Sequence, residues 1–121
     1  TVQPAQVLGA PRRGLSVVFS GDTASCPGLL QAAQDADLLL CDATYALPEQ
    51  EAQARQWGHS TFGQSAALAA QAGAKRLWLT HYSPMITDPE EYAEQAQGIF
   101  PGAECGFDGK SITLQYEEVQ P

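Results

Sequence analysis

The sequence is short of what several functional classes require. Among 121 residues there are six Lys and Arg against fourteen Asp and Glu, giving a formal charge of −8. A surface that holds nucleic-acid phosphates needs clustered cations, so the charge argues against a general nucleic-acid-binding face. For most of the acidic residues the reading is solubility. The charge does not exclude a metal site, where carboxylates gather around a cation that restores the balance. Cysteine is also scarce: Cys26, Cys41 and Cys105 are an odd number with no Cys-x-x-Cys pair. That pattern predicts a reducing, cytoplasmic compartment, with neither a disulfide frame nor a thiolate zinc site. No apolar run approaches the ~18 residues of a membrane span, and no basic-then-apolar leader opens the chain. The first residue is Thr rather than Met, as at a processed or cut N-terminus.

The length suits one domain with a real core. Residues 1–14, with their Pro, Gly and the Arg12-Arg13 pair, read as an irregular lead-in. Leu15 to Phe19 is an apolar run that stops at Ser20-Gly21-Asp22-Thr23, as a buried strand ending in a sharp turn would. A helix is expected over 27–36, with Pro27 in its first turn, and a second strand over 37–41, delivering Asp42. Residues 48–56 read as an exposed helix. Residues 61–72 read as a helix of small residues, capped by Ser60 or Thr61 and stopped by Gly73. Lys75 to Thr80 is a third strand, delivering His81. Asp88-Pro89-Glu90-Glu91 starts a helix running to about Gln97, and Lys110 to Tyr116 alternates as an edge strand does. Cys41, at the end of its strand, reads as a small core residue.

Strands alternating with helices define an α/β fold with a mainly parallel sheet and right-handed crossovers. In such sheets ligands bind beyond the carboxyl ends of the strands. Here three strands end in Gly21-Asp22, Cys41-Asp42 and Thr80-His81, so these side chains emerge along one edge. The two histidines, His59 and His81, both sit at element junctions. Imidazole and carboxylate suit zinc or manganese, which makes Asp22 and His81 a partial metal site. His59 with Asp42 is a reasonable acid and orienter pair, because a carboxylate raises imidazole basicity and fixes its tautomer. Plain structural roles are also open to each: Asp22 as a turn cap, His81 as a residue satisfied after its strand, His59 as a helix cap. A catalytic zinc normally takes three protein ligands, and two are offered here.

Taken in order, Ser20-Gly21-Asp22-Thr23, residues 37–45, Gly58-His59-Ser60-Thr61 and residues 79–84 resemble the second half of a metallo-β-lactamase-fold hydrolase, most of all the ribonuclease Z family. Residues 7–14 and 88–102 also resemble that family's lead-in and C-terminal helix and turn, so the likeness covers essentially the whole chain. It implies an αββα sandwich, of which residues 1–121 are a single unit supplying the C-terminal half, with a mixed sheet and helices mainly on one face. By the same resemblance, Asp22 matches the aspartate bridging two divalent metals, zinc or manganese, and His81 a ligand of the second. His59 matches the non-ligand histidine that assists the leaving oxygen or the transition-state phosphate, beside Ser60 and Thr61 as substrate contacts. Asp42 stands where the family usually has Glu, in a motif reading Cys41-Asp42-Ala43-Thr44. This keeps the carboxylate and shortens its reach.

The family's His-x-His-x-Asp-His motif and its basic tRNA-gripping arm do not occur in these 121 residues. The resemblance therefore implies part of a two-metal phosphodiesterase that trims precursor tRNA 3′ ends. The missing N-terminal half would be its partner, the complete enzyme would be a homodimer, and the chain alone would be inactive. Two other readings use the same residues: a non-catalytic α/β binding domain, and a hydrolase of this fold acting on another phosphodiester or an ester.

Overall fold

A computed structural model describes residues 15–21 and 26–114. The expected lead-in over 1–14, the carboxylate of Asp22 and the end of the strand expected over 110–116 lie outside these residues.

The architecture is a four-stranded sheet with helices between the strands. The strands are β1 (Val17–Phe19), β2 (Leu38–Asp42), β3 (Leu77–Thr80) and β4 (Ala103–Cys105). They are hydrogen-bonded in chain order and every pairing is parallel, with Val18 opposite Leu39, Leu40 opposite Trp78, and Leu79 opposite Cys105. Among the described residues the sheet is thus purely parallel, as the alternation of strands and helices predicts. Residues 110–114 form no strand, and the fourth strand is instead the Ala-Glu-Cys segment just after Gly102.

The helices are α1 (Pro27–Ala32), α2 (Glu51–Gln56), α3 (Phe62–Ala72) and α4 (Glu94–Gln97). Short 3₁₀ turns at Pro48–Gln50 and Pro89–Tyr92 replace the first turns of the helices expected there. Helix α1 is shorter than its sequence pattern, because Asp35 turns left-handed (φ 57°) and gives its N–H to the Ala72 carbonyl at 2.8 Å. A tertiary bond between the ends of two helices overrides local propensity at that point.

Helix α3 is the keystone. Thr61 caps it, accepting from the Gln64 N–H at 3.0 Å while Gln64 Oε1 accepts from the Thr61 N–H at 2.9 Å. This reciprocal box satisfies two donors that the first helical turn leaves orphaned. Ala66, Ala69 and Ala72 are buried, and side chains this small let the helix axis lie close to the sheet. It packs on β2, β3, α1 and α4, so the helices make one layer over a core of Leu39, Cys41, Leu77, Leu79, Ala103 and Cys105.

Among the described residues no second layer covers the opposite face of the sheet. Val17 and Phe19 are 57% and 68% exposed there, beside Leu40 and Trp78. Parallel sheets are otherwise covered on both faces, so this face asks for a partner. Among the described residues its β3–β4 end is screened. There the Lys110 ammonium sits 5.0 Å from the Trp78 ring centroid and pairs with Glu104 at 3.0 Å.

Gly106, directly after β4, is required by close approach. Its N–H donates to the Leu79 carbonyl at 2.7 Å, and a Cβ built on it would stand 2.7 Å from that same oxygen. The Tyr82 hydroxyl adds a tie between the segments, 2.6 Å from the Leu79 carbonyl and 2.9 Å from that of Gly106. Gly106→Ala is therefore expected to cost about 1–3 kcal/mol by forcing β3 and β4 apart, read as a lower unfolding midpoint in urea.

Candidate functional site

The carboxyl edge of the sheet gathers Asp42, Thr44, His59 and His81. Asp42 ends β2 and is fully buried. Its Oδ1 accepts the Thr44 N–H at 3.0 Å and lies 2.6 Å from the Thr44 hydroxyl. Its Oδ2 lies 2.9 Å from His59 Nδ1 and accepts the Ser60 N–H at 3.3 Å. The Asp42 carbonyl in turn accepts the Ser65 hydroxyl from inside α3. The carboxylate is thus surrounded by donors on both oxygens, the arrangement a buried charge needs.

His59 reaches Asp42 because α2 ends just before it. Gly58 takes φ 74°, the chain reverses, and the His59 N–H closes on the Ala54 carbonyl at 2.8 Å. Only a residue without Cβ adopts that φ at little cost. The His59 side chain is 22% exposed, so the ring is held from beneath and open above. Against a carboxylate acceptor, Nδ1 carries the proton, and Nε2 is the nitrogen left to exchange one with a bound group. The Asp42 side chain, short as it is, reaches the His59 ring.

His81 follows β3 with a left-handed backbone, φ 61°, and an exposed side chain. Its ring stacks on that of His59 with centroids 5.7 Å apart and planes 21° from parallel. Two clefts flank the edge. One of about 510 Å³ borders His81 together with Trp78, Phe107 and Lys110 on the bare side of the sheet. The other, about 320 Å³, is lined by Thr44, Tyr45, Gln50, Gln53 and Ser83.

Of the expected site residues, the structure brings Asp42, His59 and His81 together. Asp22 lies outside the described residues. Ser60 and Thr61, expected as substrate contacts, are instead turned inward at 1% and 0% exposure, and the Thr61 hydroxyl is engaged as the α3 cap. The contacting residue that sequence reasoning passed over is Thr44. Its signal was local: Asp-Ala-Thr is the spacing at which an Asp side chain accepts the backbone N–H two residues on.

The donor chemistry bears on metal binding. Among the described residues no group of three or more His, Cys, Asp or Glu converges as ligands do. His81 is an exposed imidazole of suitable chemistry, whereas the Asp42 oxygens are occupied by Thr44, His59 and Ser60. Cys41 is buried, and burial pushes its thiol above the ordinary range, so it is a core residue and no thiolate ligand. Cys105 is raised to about 11, first by burial and then by nearby Glu90. The described residues do not by themselves complete a metal centre.

The beta-lactamase superfamily domain matches residues 6–82, and the chain belongs to that family. It is similar to the ribonuclease Z of Lachnoclostridium phytofermentans, 43% identical over 115 residues, covering 95% of this chain and 38% of that protein. It is also similar to the ribonuclease Z of Myxococcus xanthus, 47% identical over 116 residues and covering 94% and 38%. Among solved structures, the short form of human tRNase Z superposes with a TM-score of 0.65 at 27% identity, covering 84% of this chain and 36% of that one. The chain therefore spans well under half the length of these relatives. No described helix is long and apolar enough to cross a membrane.

Proposed function

We propose that this chain supplies the proton-donating side of a metal-dependent phosphodiesterase of the ribonuclease Z type, acting on precursor tRNA 3′ ends. The observation that carries the reading is the Asp42–His59 pair, bonded at 2.9 Å at the sheet edge that His81 also occupies. Its likeness over nearly its whole length to proteins named ribonuclease Z supports the substrate class.

In this reading Asp42 holds His59 with Nδ1 protonated and stabilises the imidazolium. His59 Nε2 then delivers a proton to the 3′ oxygen leaving the scissile phosphate, an ordinary general-acid role. His81 offers its imidazole to a cation, and Asp22 is the expected bridging carboxylate. Divalent cations, zinc or manganese, supply an activated water and charge compensation at phosphate when bound. The remaining ligands and the tRNA-gripping surface belong to the part of the family's length that precedes this region. The second sheet of the αββα sandwich, from that same part, is the partner for the face bearing Val17 and Phe19. The complete enzyme is read as a cytoplasmic homodimer.

The test is reassembly. Co-expressed with the N-terminal half of the fold, the chain is expected to remove the 3′ trailer from precursor tRNA, to lose that activity to a chelator and to regain it with zinc or manganese. Alone, it is expected to self-associate through its bare face and to cleave nothing. A folded, metal-loaded assembly that cleaves other phosphodiesters but no precursor tRNA would replace the substrate. A monomeric chain that stays soluble, takes up no metal and ignores the other half would favour the non-catalytic binding domain.

A further inference from the structure

One hydroxyl stands at the centre of the site without a part in the chemistry just described. Thr44 Oγ1 is 2.6 Å from Asp42 Oδ1, 3.2 Å from His59 Nδ1 and 3.0 Å from the backbone carbonyl oxygen of His81. The geometry points to Thr44 as a positioning residue that ties the His59–Asp42 pair to the left-handed backbone of His81. This role rests on the proposed reading of His59 as the acid.

Thr44 sits where two loops are stitched together. The Ala43 N–H donates to the Thr80 carbonyl at 2.7 Å, and the Ser83 N–H donates to the Thr44 carbonyl at 3.0 Å. Between these backbone bonds, the one residue of the β3 exit with a positive φ is His81, and its carbonyl meets the Thr44 hydroxyl. A non-glycine residue persists in that conformation when its surroundings over-determine it. The hydroxyl has one proton and two acceptors, Asp42 Oδ1 and the His81 carbonyl. Oδ1 also receives the Thr44 N–H, so it stays partnered when the hydroxyl turns to His81. One side chain therefore reports the state of the carboxylate to the backbone that aims the neighbouring imidazole.

A valine at this position keeps the shape and both backbone bonds and removes only the hydroxyl. In the complete enzyme, Thr44→Val is expected to lower kcat about 10–100-fold, the usual effect of losing such a supporting hydrogen bond, with KM little changed. Thr44→Ser is expected to recover most of that loss. A second readout needs no turnover. The His59 Nδ1–H proton should give a slowly exchanging downfield NMR signal in the wild type and Thr44→Ser, and exchange measurably faster in Thr44→Val. Should Thr44→Val fail to fold, Thr44→Ala carries the same expectations. If the wild type cleaves no precursor tRNA, the functional reading fails while the NMR comparison still tests Thr44. The assignment is overturned if the valine variant keeps the wild-type Nδ1–H exchange rate, or if serine is as impaired as valine in both measurements.

Discussion

Replacing His59 with alanine in the complete enzyme is expected to lower the rate of precursor-tRNA cleavage by about 10²–10⁴-fold, with substrate affinity near that of the wild type. The ring contributes little to the core. It is part-exposed, its backbone is held by the Ala54 carbonyl, and the capping box of α3 begins only at Thr61. The loss should therefore fall on kcat rather than on folding. Because the ring lies in an open position above Asp42, added imidazole should restore part of the lost rate. A variant retaining more than half the wild-type kcat would remove His59 from the proton transfer and leave the pair a structural feature.

The second large effect is at Asp42, where two substitutions separate folding from chemistry. Asp42→Ala removes the acceptor of the buried Thr44 and Ser60 N–H groups. Each orphaned buried donor costs about 1–3 kcal/mol, so the variant is expected to lose about 2–6 kcal/mol, a large share of a domain's usual margin. Asp42→Asn behaves differently. Its oxygen can replace Oδ1 towards Thr44, but its NH₂ then faces the Nδ1–H of His59, donor against donor. The imidazole is driven to the other tautomer, with the proton on Nε2 and no carboxylate to stabilise a cation. The same NH₂ faces the Ser60 N–H, so Asp42→Asn should keep the Thr44 bond but not the Ser60 bond. It should accordingly recover about half of the stability that Asp42→Ala loses, and yet be about as inactive as His59→Ala. Urea unfolding and single-turnover cleavage, run on both variants, check the two halves of this statement. An active Asp42→Asn would show that the carboxylate is needed for folding alone.

Much of this arrangement is legible in the residues because it depends on short-range signals. The apolar runs ending at Gly21, Asp42 and His81 mark three strand exits on one edge, and Ser60-Thr61 with Gly73 marks both ends of α3. Other features are set by distant partners. Strand β4 is three residues between Gly102 and Gly106, too short for alternation to show, and it exists because Leu79 offers it a parallel neighbour. The early end of α1 depends on the Ala72 carbonyl, far along the chain from Asp35. The inward turn of Ser60 and Thr61 follows from α3 lying on β2, which no motif reveals. The bond from Thr44 to His81 spans 37 positions, so it was legible only once the sheet had brought β2 beside β3.

Strand order equal to chain order has a kinetic consequence. Each described strand pairs with the one before it, so each new crossover closes on a neighbour already made. The layer can grow from β1 towards β4 as a ratchet of small additions. Asp42 then comes to rest before His59, and His59 before His81, so the reactive edge is completed only when β3 locks in. A chain interrupted between His59 and Leu77 would hold both members of the acid pair and lack the residue against which the pair is aimed.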